Sequence, residues 1–444
     1  MDIGAFMSWA SPALPYLKSK ASDIPITVTQ GPWLAAIGNL FAILGLLSCP
    51  TIMNKIGRKY TILFFGLIQL ISWLFIYFSR NFLFLLIGRI ISGIGYGGNG
   101  IVLPVYIGEV SGKIIRGRFL NFIKISSNFG SFMMVSAGAF LPYHTMNLVM
   151  ISLPVTGILL LLLASESPYY YLMEGRDNEA VDVLMKLSSV KKPETVMEDI
   201  KRMKNAIEEN DKLKKSSIQE IFADRGSRKA FIIFVIVQFT YCFSGYFGIR
   251  AYAQEILSYS NSPVAPEYET MILMGFQIFG GLPSALLIDH YGRRPAYLLS
   301  GILSAVTLGV GGLFFFMKFF MEADVSSFTW IPLTSLIFFF VVCNMGIGSL
   351  PYIYAGELFS VNTKGTALIG GGLVVSLGGF LAKILLPIIN NEAGIYTGFW
   401  GFSVFCITGP IIIWFTMPET KGKNLEQVLV LLKTKNKKCR DIIC

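Results

Sequence analysis

The chain has 444 residues, of which 53% are hydrophobic and only 14% are charged, and its mean hydropathy is +0.61. A soluble domain is about 25% charged, so these values exclude an ordinary soluble protein and a disordered chain, and they indicate a polytopic membrane protein. The net charge of +10 would suggest a nucleic-acid partner in a soluble protein, but in a membrane protein it is typical of basic cytoplasmic loops.

Twelve apolar segments follow one another along the chain, and the first is the shortest. Residues 4–17 are too short to cross a membrane alone, so we predict that they form the second half of a first helix whose start is missing or unusually short. A signal-peptide remnant is the alternative, but no basic region or Ala-x-Ala cleavage site accompanies the segment. Eleven further segments approach the length of about 20 apolar residues that a membrane helix needs, at residues 31–53, 61–79, 82–108, 119–141, 147–164, 230–253, 269–288, 296–317, 330–355, 366–387 and 397–417.

Basic residues are distributed unequally between the loops on the two sides. If the loop 54–60 faces the cytoplasm, the loops on its side carry 29 Lys and Arg residues, the opposite loops carry four, and four more lie inside spans. Cytoplasmic loops are enriched in Lys and Arg, so this ratio predicts that the long loop 165–229 and the tail 418–444 are cytoplasmic. The basic charge is then explained without nucleic acid.

The long loop divides the chain into two sets of six spans. It carries thirteen acidic and thirteen basic residues, and Glu179–Leu187 and Glu198–Glu208 have helical periodicity. Short amphipathic helices are therefore predicted there, with a solvated charged linker as the alternative. The predicted units are an N-terminal six-helix bundle at 1–164, a cytoplasmic linker at 165–229, a C-terminal six-helix bundle at 230–417 and a tail at 418–444.

The two halves repeat a pattern of charged residues at the ends of corresponding spans. Gly57-Arg58-Lys59 after span 2 matches Gly292-Arg293-Arg294 after span 8, and a Glu seven residues before a base follows both span 4 and span 10. Such parallel repeats predict two bundles around a central path, and charge pairs at helix ends can form and break as one face closes and opens. Static anchoring by interfacial charges is the alternative. The predicted gating residues are Arg58, Arg89, Glu109, Arg116, Asp289, Arg293, Glu357 and Lys364.

Cysteine and histidine positions give no sign of a disulfide framework, a metal site or catalysis. Four of the six cysteines lie inside apolar runs and two lie in the tail, and the only histidines are His144 and His290, both beside loops. Gly93-x-Gly95-x-x-Gly98 matches a dinucleotide-binding pattern, but it lies inside a membrane span with no strand before it. We expect no enzymatic activity, no metal and no cofactor.

Taken together, these motifs resemble the sugar porter family of the major facilitator superfamily, over nearly all of the chain. Ser11-Pro12-Ala13-Leu14-Pro15 is similar to the first helix of insect trehalose and glucose facilitators. The resemblance implies an all-α, twelve-helix major facilitator fold and sugar transport. Proton-coupled members of the family place a carboxylate in the first helix, whereas residues 3–17 contain none, which favours facilitated diffusion. The other motifs that carry the resemblance are Gly88-Arg89, Pro104 to Glu109 followed by Arg116-Gly117, Glu166-Ser167-Pro168, Asp289 to Arg294, and Pro418 to Gly422 followed by Leu425-Glu426.

The positions that hold sugar in that family are largely replaced in this chain. Lys124 stands where the family has a Gln, and Tyr352 stands where it has a Trp. An intramembrane lysine indicates function by default, and Lys124 is a candidate to bind an anionic substrate together with Arg250. The alternative for Lys124 is snorkelling or pairing with a carboxylate, and snorkelling is expected for Arg250 and Lys383 near the outer face. The candidate solute contacts are Lys124, Asn128, Tyr246, Gln277, Asn344 and Tyr352.

The leading hypothesis is a facilitative transporter of a hexose or trehalose-like sugar in the plasma membrane. Its partners would be a small solute and the lipid bilayer, without nucleic acid, and its oligomeric state is open. One alternative is a transporter of an organic anion or a modified sugar on the same fold. The other is a non-transporting sugar sensor or a degenerate paralogue.

Overall fold

A computed structural model describes residues 1–111, 116–188, 194–213, 225–280, 290–359, 361–421, 427 and 431–432. Within these residues the secondary structure is helical and contains no strand. The helices before the predicted linker are α1 (Asp2–Ser8), α2 (Ala10–Lys18), α3 (Gln30–Ile56), α4 (Arg58–Tyr77), α5 (Phe82–Val110), α6 (Arg116–Phe140) and α7 (Tyr143–Leu162).

The remaining helices form the linker and the second half of the chain. The linker helices are α8 (Pro168–Met173), α9 (Asp177–Ser188) and α10 (Glu194–Leu213). Those of the second half are α11 (Arg225–Phe243), α12 (Tyr246–Ala251), α13 (Ala253–Ser258), α14 (Pro266–Gly280), α15 (Arg293–Phe319), α16 (Ile331–Met345), α17 (Leu350–Glu357), α18 (Val361–Ala393) and α19 (Ile395–Thr416), with a 3-10 turn at Ser326–Phe328.

Among the described residues, nine helical stretches are long and apolar enough to cross a membrane. Each overlaps a span that hydropathy predicts. Three predicted spans are not among the nine: the first, the one that becomes α6, and the one that begins with α14, whose continuation lies outside the described residues. The nine stretches are Gln30–Ile56, Arg58–Tyr77, Phe82–Val110, Tyr143–Leu162, Gly226–Ala251, Arg293–Phe319, Ser326–Glu357, Gly365–Ala393 and Ile395–Thr416.

The first apolar segment forms an almost continuous helix. Trp9, between α1 and α2, keeps helical backbone angles of φ −53° and ψ −39°. At 1.5 Å per residue, the two helices together extend about 25 Å. Phe6, Trp9 and Ala13 are fully buried, and α1 packs against α5, α6 and α7. The segment is therefore an inner helix of the N-terminal half.

Two of the nine stretches are broken in the middle. Gly245, with φ +96°, separates α11 from α12, and Gly346 to Ser349 separate α16 from α17. Ser300 satisfies two backbone groups beside the second break, because its hydroxyl accepts from the Ile347 amide and donates to the Val342 carbonyl. Broken helices occur in membranes where the freed backbone is buried or lines a cavity. Hydropathy does not indicate either break.

The boundary between the two halves is formed mainly by two helix pairs. Helix α3 packs against α18, and α6 packs against α14. We call the end of the helices where α8 to α10 lie the linker end, and the other end the distal end. We call the layer of side chains at and between these two helix pairs the central layer.

Candidate functional site

A cluster of charged residues joins α4 and α5 to the segment before α8 at the linker end. Arg58 opens α4, and its guanidinium lies 2.8 Å from the carboxylate of Glu109 at the end of α5. Glu166 accepts hydrogen bonds from the backbone amides of Arg58 and Lys59, both at 3.0 Å. The Ser167 hydroxyl donates to Glu109 and closes the cluster.

The C-terminal half builds the same cluster from its own residues. Arg293 opens α15, and its guanidinium lies 2.9 Å from Glu357 at the end of α17. Glu419 accepts from the backbone amides of Arg293 and Arg294 at 2.9 and 3.0 Å. The Thr420 hydroxyl donates to Glu357 at 2.6 Å. Arg58, Glu109, Glu166 and Ser167 thus correspond to Arg293, Glu357, Glu419 and Thr420.

A glycine precedes each arginine because the carboxylate lies against the backbone there. Gly57 and Gly292 have φ of +90° and +92°, angles that other residues adopt with strain. A Cβ at Gly57 would meet the Glu166 carboxylate, and one at Gly292 would lie 3.1 Å from the Glu419 carboxyl carbon. Burial raises the pKa of Glu419, but four backbone amides outweigh it and hold that pKa below its ordinary value.

Only some of the predicted gating residues lie in the two clusters. It joins Arg58 to Glu109 and Arg293 to Glu357. Arg89 lies away from both clusters: it is 1% exposed, and its guanidinium carbon lies 4.6 Å from the Phe6 ring centre and 4.8 Å from that of Trp9. Asp289 and the side chains of Arg116 and Lys364 lie outside the described residues.

Glu166 and Glu419 belong to these clusters but are not among the gating residues that the sequence predicts. The signal was present in the sequence, because both carboxylates follow the last span of their half. Their role is visible only in the structure, since each carboxylate binds the backbone of a segment more than 100 residues away.

Polar side chains of α6 face the C-terminal half in the central layer. Lys124, Asn128 and Ser131 are four and three residues apart, a spacing that places them on one helix face. Lys124 donates to the Ser349 hydroxyl at 3.0 Å, at the break before α17. Asn128 donates to the Gln277 carbonyl of α14 at 3.1 Å. This face of α6 therefore joins the two halves through hydrogen bonds.

Three polar side chains of the C-terminal half form a chain beside that face. The Gln277 amide donates to the Tyr246 hydroxyl at 2.9 Å, and Arg250 donates to the same hydroxyl at 3.0 Å. Tyr246 follows directly after Gly245, so the helix break positions it. The amide oxygen of Gln277 is buried and has no hydrogen-bond partner among the described residues. This oxygen is available to a solute hydroxyl.

The other two predicted solute contacts differ in accessibility. Tyr352 is 70% exposed, at the start of α17, so its ring faces accessible space. Asn344 is 1% exposed, and its amide donates to the Phe340 carbonyl one turn earlier in the same helix. The structure thus brings Asn128, Gln277 and Tyr246 together, with Lys124, Asn344 and Tyr352 around them.

The expected snorkelling of Arg250 and Lys383 is wrong. Arg250 is 2% exposed and Lys383 is 1% exposed. Arg250 donates to the hydroxyls of Ser8, Ser131 and Tyr246, and Lys383 donates to the Asn39 amide oxygen at 2.8 Å. Both cations are held inside the molecule because helices α1, α3 and α6 of the other half cover them.

An ion pair also joins the halves at the distal end. The Lys18 ammonium group of α2 lies 2.9 Å from the Glu255 carboxylate of α13. Beside it, the Gln254 backbone amide donates to the Ser11 hydroxyl at 3.2 Å. These contacts hold the first helix against the C-terminal half.

Comparison with known sequences places the chain among transporters. A model of the family described as sugar (and other) transporter matches residues 7–432. The facilitated trehalose transporter Tret1 of Apis mellifera ligustica is 29% identical over 428 residues, covering 96% of this chain and 84% of the relative. Tret1 of Culex quinquefasciatus is 28% identical over 433 residues, covering 96% and 82%.

Solved structures share the fold at low sequence identity. The inward-open conformation of the xylose transporter XylE from E. coli matches with a TM-score of 0.79 at 19% identity, over 97% of this chain and 96% of that chain. The proton:xylose symporter XylE bound to 6-bromo-6-deoxy-D-glucose matches with a TM-score of 0.76 at 17% identity, over 97% of each chain. The predicted all-α major facilitator fold is thereby confirmed.

Proposed function

The chain belongs to the family of sugar (and other) transporters, and from this premise we propose that it moves a hexose or a trehalose-like sugar across a membrane by facilitated diffusion. The observation that carries the proposal is the polar central layer. Asn128 of one half and Gln277 and Tyr246 of the other meet there, halfway along the spans. Neutral donors and acceptors placed between two bundles suit a solute rich in hydroxyl groups.

Alternating access follows from where the polar contacts lie. At the linker end, the two charge clusters join helices within each half, so each half can move as a unit. At the distal end, Lys18 and Glu255 join the two halves and hold that end closed. Opening it requires that this pair separates while the solute site stays between the halves. We propose that Arg58, Glu109, Arg293 and Glu357 take part in gating by holding the helices of each half together, so that the linker end opens and closes as whole halves move.

The solute contacts that we assign are Asn128, Gln277 and Tyr246, with Lys124 and Tyr352 at the edge of the layer. The exposed ring of Tyr352 is available to stack on a sugar face. Trehalose is a candidate solute because the Apis and Culex relatives are named as facilitated trehalose transporters. The replaced sugar-site residues give this chain a set of hydrogen-bond donors that differs from that of the family.

We further assign the linker and the tail to the cytoplasm and the protein to the plasma membrane. The excess of Lys and Arg in the loops on the linker side supports the cytoplasmic position of the linker and the tail. A test of this orientation is whether an epitope in the linker of intact cells becomes accessible to antibody only after permeabilisation.

Counterflow of labelled sugar tests the transport proposal. The chain is expressed in cells that lack hexose uptake, and uptake of labelled glucose and trehalose is measured after preloading. We expect flux with at least one of them, and loss of that flux in Glu357→Ala because Arg293 loses its partner. Glu392→Ala removes an exposed carboxylate of α18 and is the matched control. Surface expression without flux of any sugar would refute the proposal.

A further inference from the structure

Two buried cations of the C-terminal half are not explained by the transport of a neutral sugar. Arg250 lies in α12 and Lys383 in α18, and both are almost inaccessible to solvent. Removing a cation from water is unfavourable unless an opposite charge or several hydrogen bonds compensate it. Each of these charges therefore needs a physical counterpart.

The hydrogen-bond partners of both cations are neutral. Arg250 donates to Ser8 and Tyr246 at 3.0 Å each, and also to Ser131. Lys383 donates to Asn39 at 2.8 Å, and the amide nitrogen of that Asn has no partner among the described residues. These hydroxyl and amide oxygens accept hydrogen bonds from the cations, but they leave the positive charges uncompensated.

Within the described parts of the chain, no ion pair includes Arg250 or Lys383. Three acidic residues follow α12 closely: Glu255 pairs with Lys18, and Glu267 accepts from Gln254. The third, Glu269, is 1% exposed and has one carboxylate oxygen without a hydrogen-bond partner among the described residues, but it forms no ion pair there with either cation. The missing negative charge is thus not supplied by these side chains.

A third buried cation, Arg89, makes the excess of positive charge larger. Two aromatic rings and the Leu34 carbonyl account for its own burial. However, Arg89 and Lys383 lie near the same ring, with the Lys383 nitrogen 5.9 Å from the Phe6 centre. Helix α12, which carries Arg250, packs against α18, which carries Lys383. An anion placed near Arg250 and Lys383 would relieve this repulsion.

The cations adjoin the solute site that we assign above. The Tyr246 hydroxyl accepts from both Arg250 and the Gln277 amide nitrogen. The hydroxyl therefore bridges the guanidinium and the amide group whose oxygen has no hydrogen-bond partner among the described residues. A solute that donates a hydroxyl to Gln277 would bring its other substituents next to Arg250. Guanidinium groups bind carboxylate and phosphate groups through paired hydrogen bonds.

We propose that Arg250 and Lys383 hold the anionic group of an acidic sugar, a carboxylate or a phosphate, while Gln277 and Asn128 contact its hydroxyls. The proposal rests on the sugar-transport function proposed above and names its solute class. It also explains why the cations are buried between the halves, where a solute passes, and not at a membrane surface.

The test uses the full chain reconstituted in liposomes, with labelled glucose, trehalose, glucuronate and glucose 6-phosphate as counterflow solutes. We expect exchange of glucuronate or glucose 6-phosphate, and competition by the same acid against any neutral sugar that is carried. Because the acid carries charge, an inside-positive potential drives its accumulation, by up to about 50-fold per 100 mV for a single charge. The neutral sugars do not respond to the potential.

Variants locate the anion site. Arg250→Gln and Lys383→Gln are expected to raise the KM for the acidic sugar at least about tenfold, the cost of a lost charge-assisted hydrogen bond, with Arg250→Lys retaining part of the affinity. Lys318→Gln removes a charge at the distal end of α15, where the ammonium donates to the Tyr259 carbonyl, and serves as the control. The melting midpoint of each purified variant shows whether that variant folds. The response of acidic-sugar uptake to membrane potential is measured on the unmodified chain, so it tests the proposal even if a variant does not fold.

Other outcomes overturn the inference without ambiguity. Flux of neutral sugars with no exchange of, or competition by, either acid refutes the anion site and leaves the transport function standing. Neutral-sugar flux that requires chloride would assign the cations to an inorganic ion and refute an acidic solute. No flux of any sugar, neutral or acidic, refutes the proposed function together with this inference.

Discussion

At the scale of single residues, the linker-end clusters depend on two carboxylates that bind backbone amides. Glu166 and Glu419 accept from the first amides of α4 and α15. The first amides of a helix have no partner within the helix, and they carry the positive end of its dipole. A carboxylate in this position therefore fixes the start of the helix and orients the arginine that follows.

We predict that Glu166→Gln and Glu419→Gln each destabilise the protein by about 1–3 kcal/mol. Glutamine keeps the size of the side chain, but it removes the charge and turns one acceptor into a donor facing other donors. The measurement is the melting midpoint of the purified protein in detergent. Glu174→Gln, at an exposed position after α8, is the control; equal melting of all three variants would contradict the prediction.

The contribution of Glu419 to the stability of the protein should decrease when the pH is lowered. Its pKa is held below the ordinary 4.5, so its stabilising contribution is fully present above that value and is lost as pH falls through the lowered pKa. The difference in melting midpoint between the native chain and Glu419→Gln should be constant from about pH 6 to 8 and shrink below about 4.5. A difference that grows on acidification would contradict this assignment.

At the scale of elements, the break between α11 and α12 positions Tyr246 and Arg250. Gly245 permits the break because its φ is +96°, and because a Cβ there would lie 2.8 Å from the Phe402 ring. A continuous helix would rotate the residues beyond the break away from Gln277 and Ser8. The polar central layer is therefore a consequence of broken helix geometry.

We predict that Gly245→Ala lowers both stability and sugar flux. The strained backbone costs about 1–2 kcal/mol, and the contact with Phe402 adds to that cost. Gly401→Ala, in the neighbouring α19, adds the same methyl group where no atom lies within 4 Å. Because alanine favours a helix over glycine by about 1 kcal/mol, this control should not lower the melting midpoint. If Gly245→Ala matched this control in melting and counterflow, the break would not be required.

At the scale of the whole molecule, the distal end is closed by contacts between the halves. Lys18 and Glu255 are 24% and 29% exposed, so solvent screens their attraction, and the pair contributes about 0.2–1 kcal/mol. A contact of this strength biases an equilibrium between two conformations without locking it. That property suits a facilitator, whose two ends open in turn.

We predict that Lys18→Glu shifts the protein toward a conformation open at the distal end, because two carboxylates then face each other. The measurement is the distance between spin labels at Ala21→Cys and Val264→Cys, by double electron–electron resonance, with Cys439 and Cys444 replaced by serine. The reversed pair Lys18→Glu with Glu255→Lys should restore the shorter distance. Identical distance distributions in all three proteins would show that the pair does not act as a latch.

Much of the fold follows from the sequence because hydropathy is a local property. Apolar runs of sufficient length predict helices wherever they occur, and the structure has a helix at each predicted span that it describes. The repeated motifs likewise mark Arg58, Glu109, Arg293 and Glu357 as charged residues at corresponding helix ends, and the structure shows which of them pair.

The sequence by itself determined the helical membrane architecture and the charged motifs that recur at the helix ends. Only the tertiary structure decided that Arg250 and Lys383 are buried, that Glu166 and Glu419 bind distant backbone, and that Tyr246 meets Gln277. The physical reason is that a side chain near a helix end can reach solvent or the interior, and the helices packed against it determine which. For the two cations, the helices of the opposite half exclude the solvent.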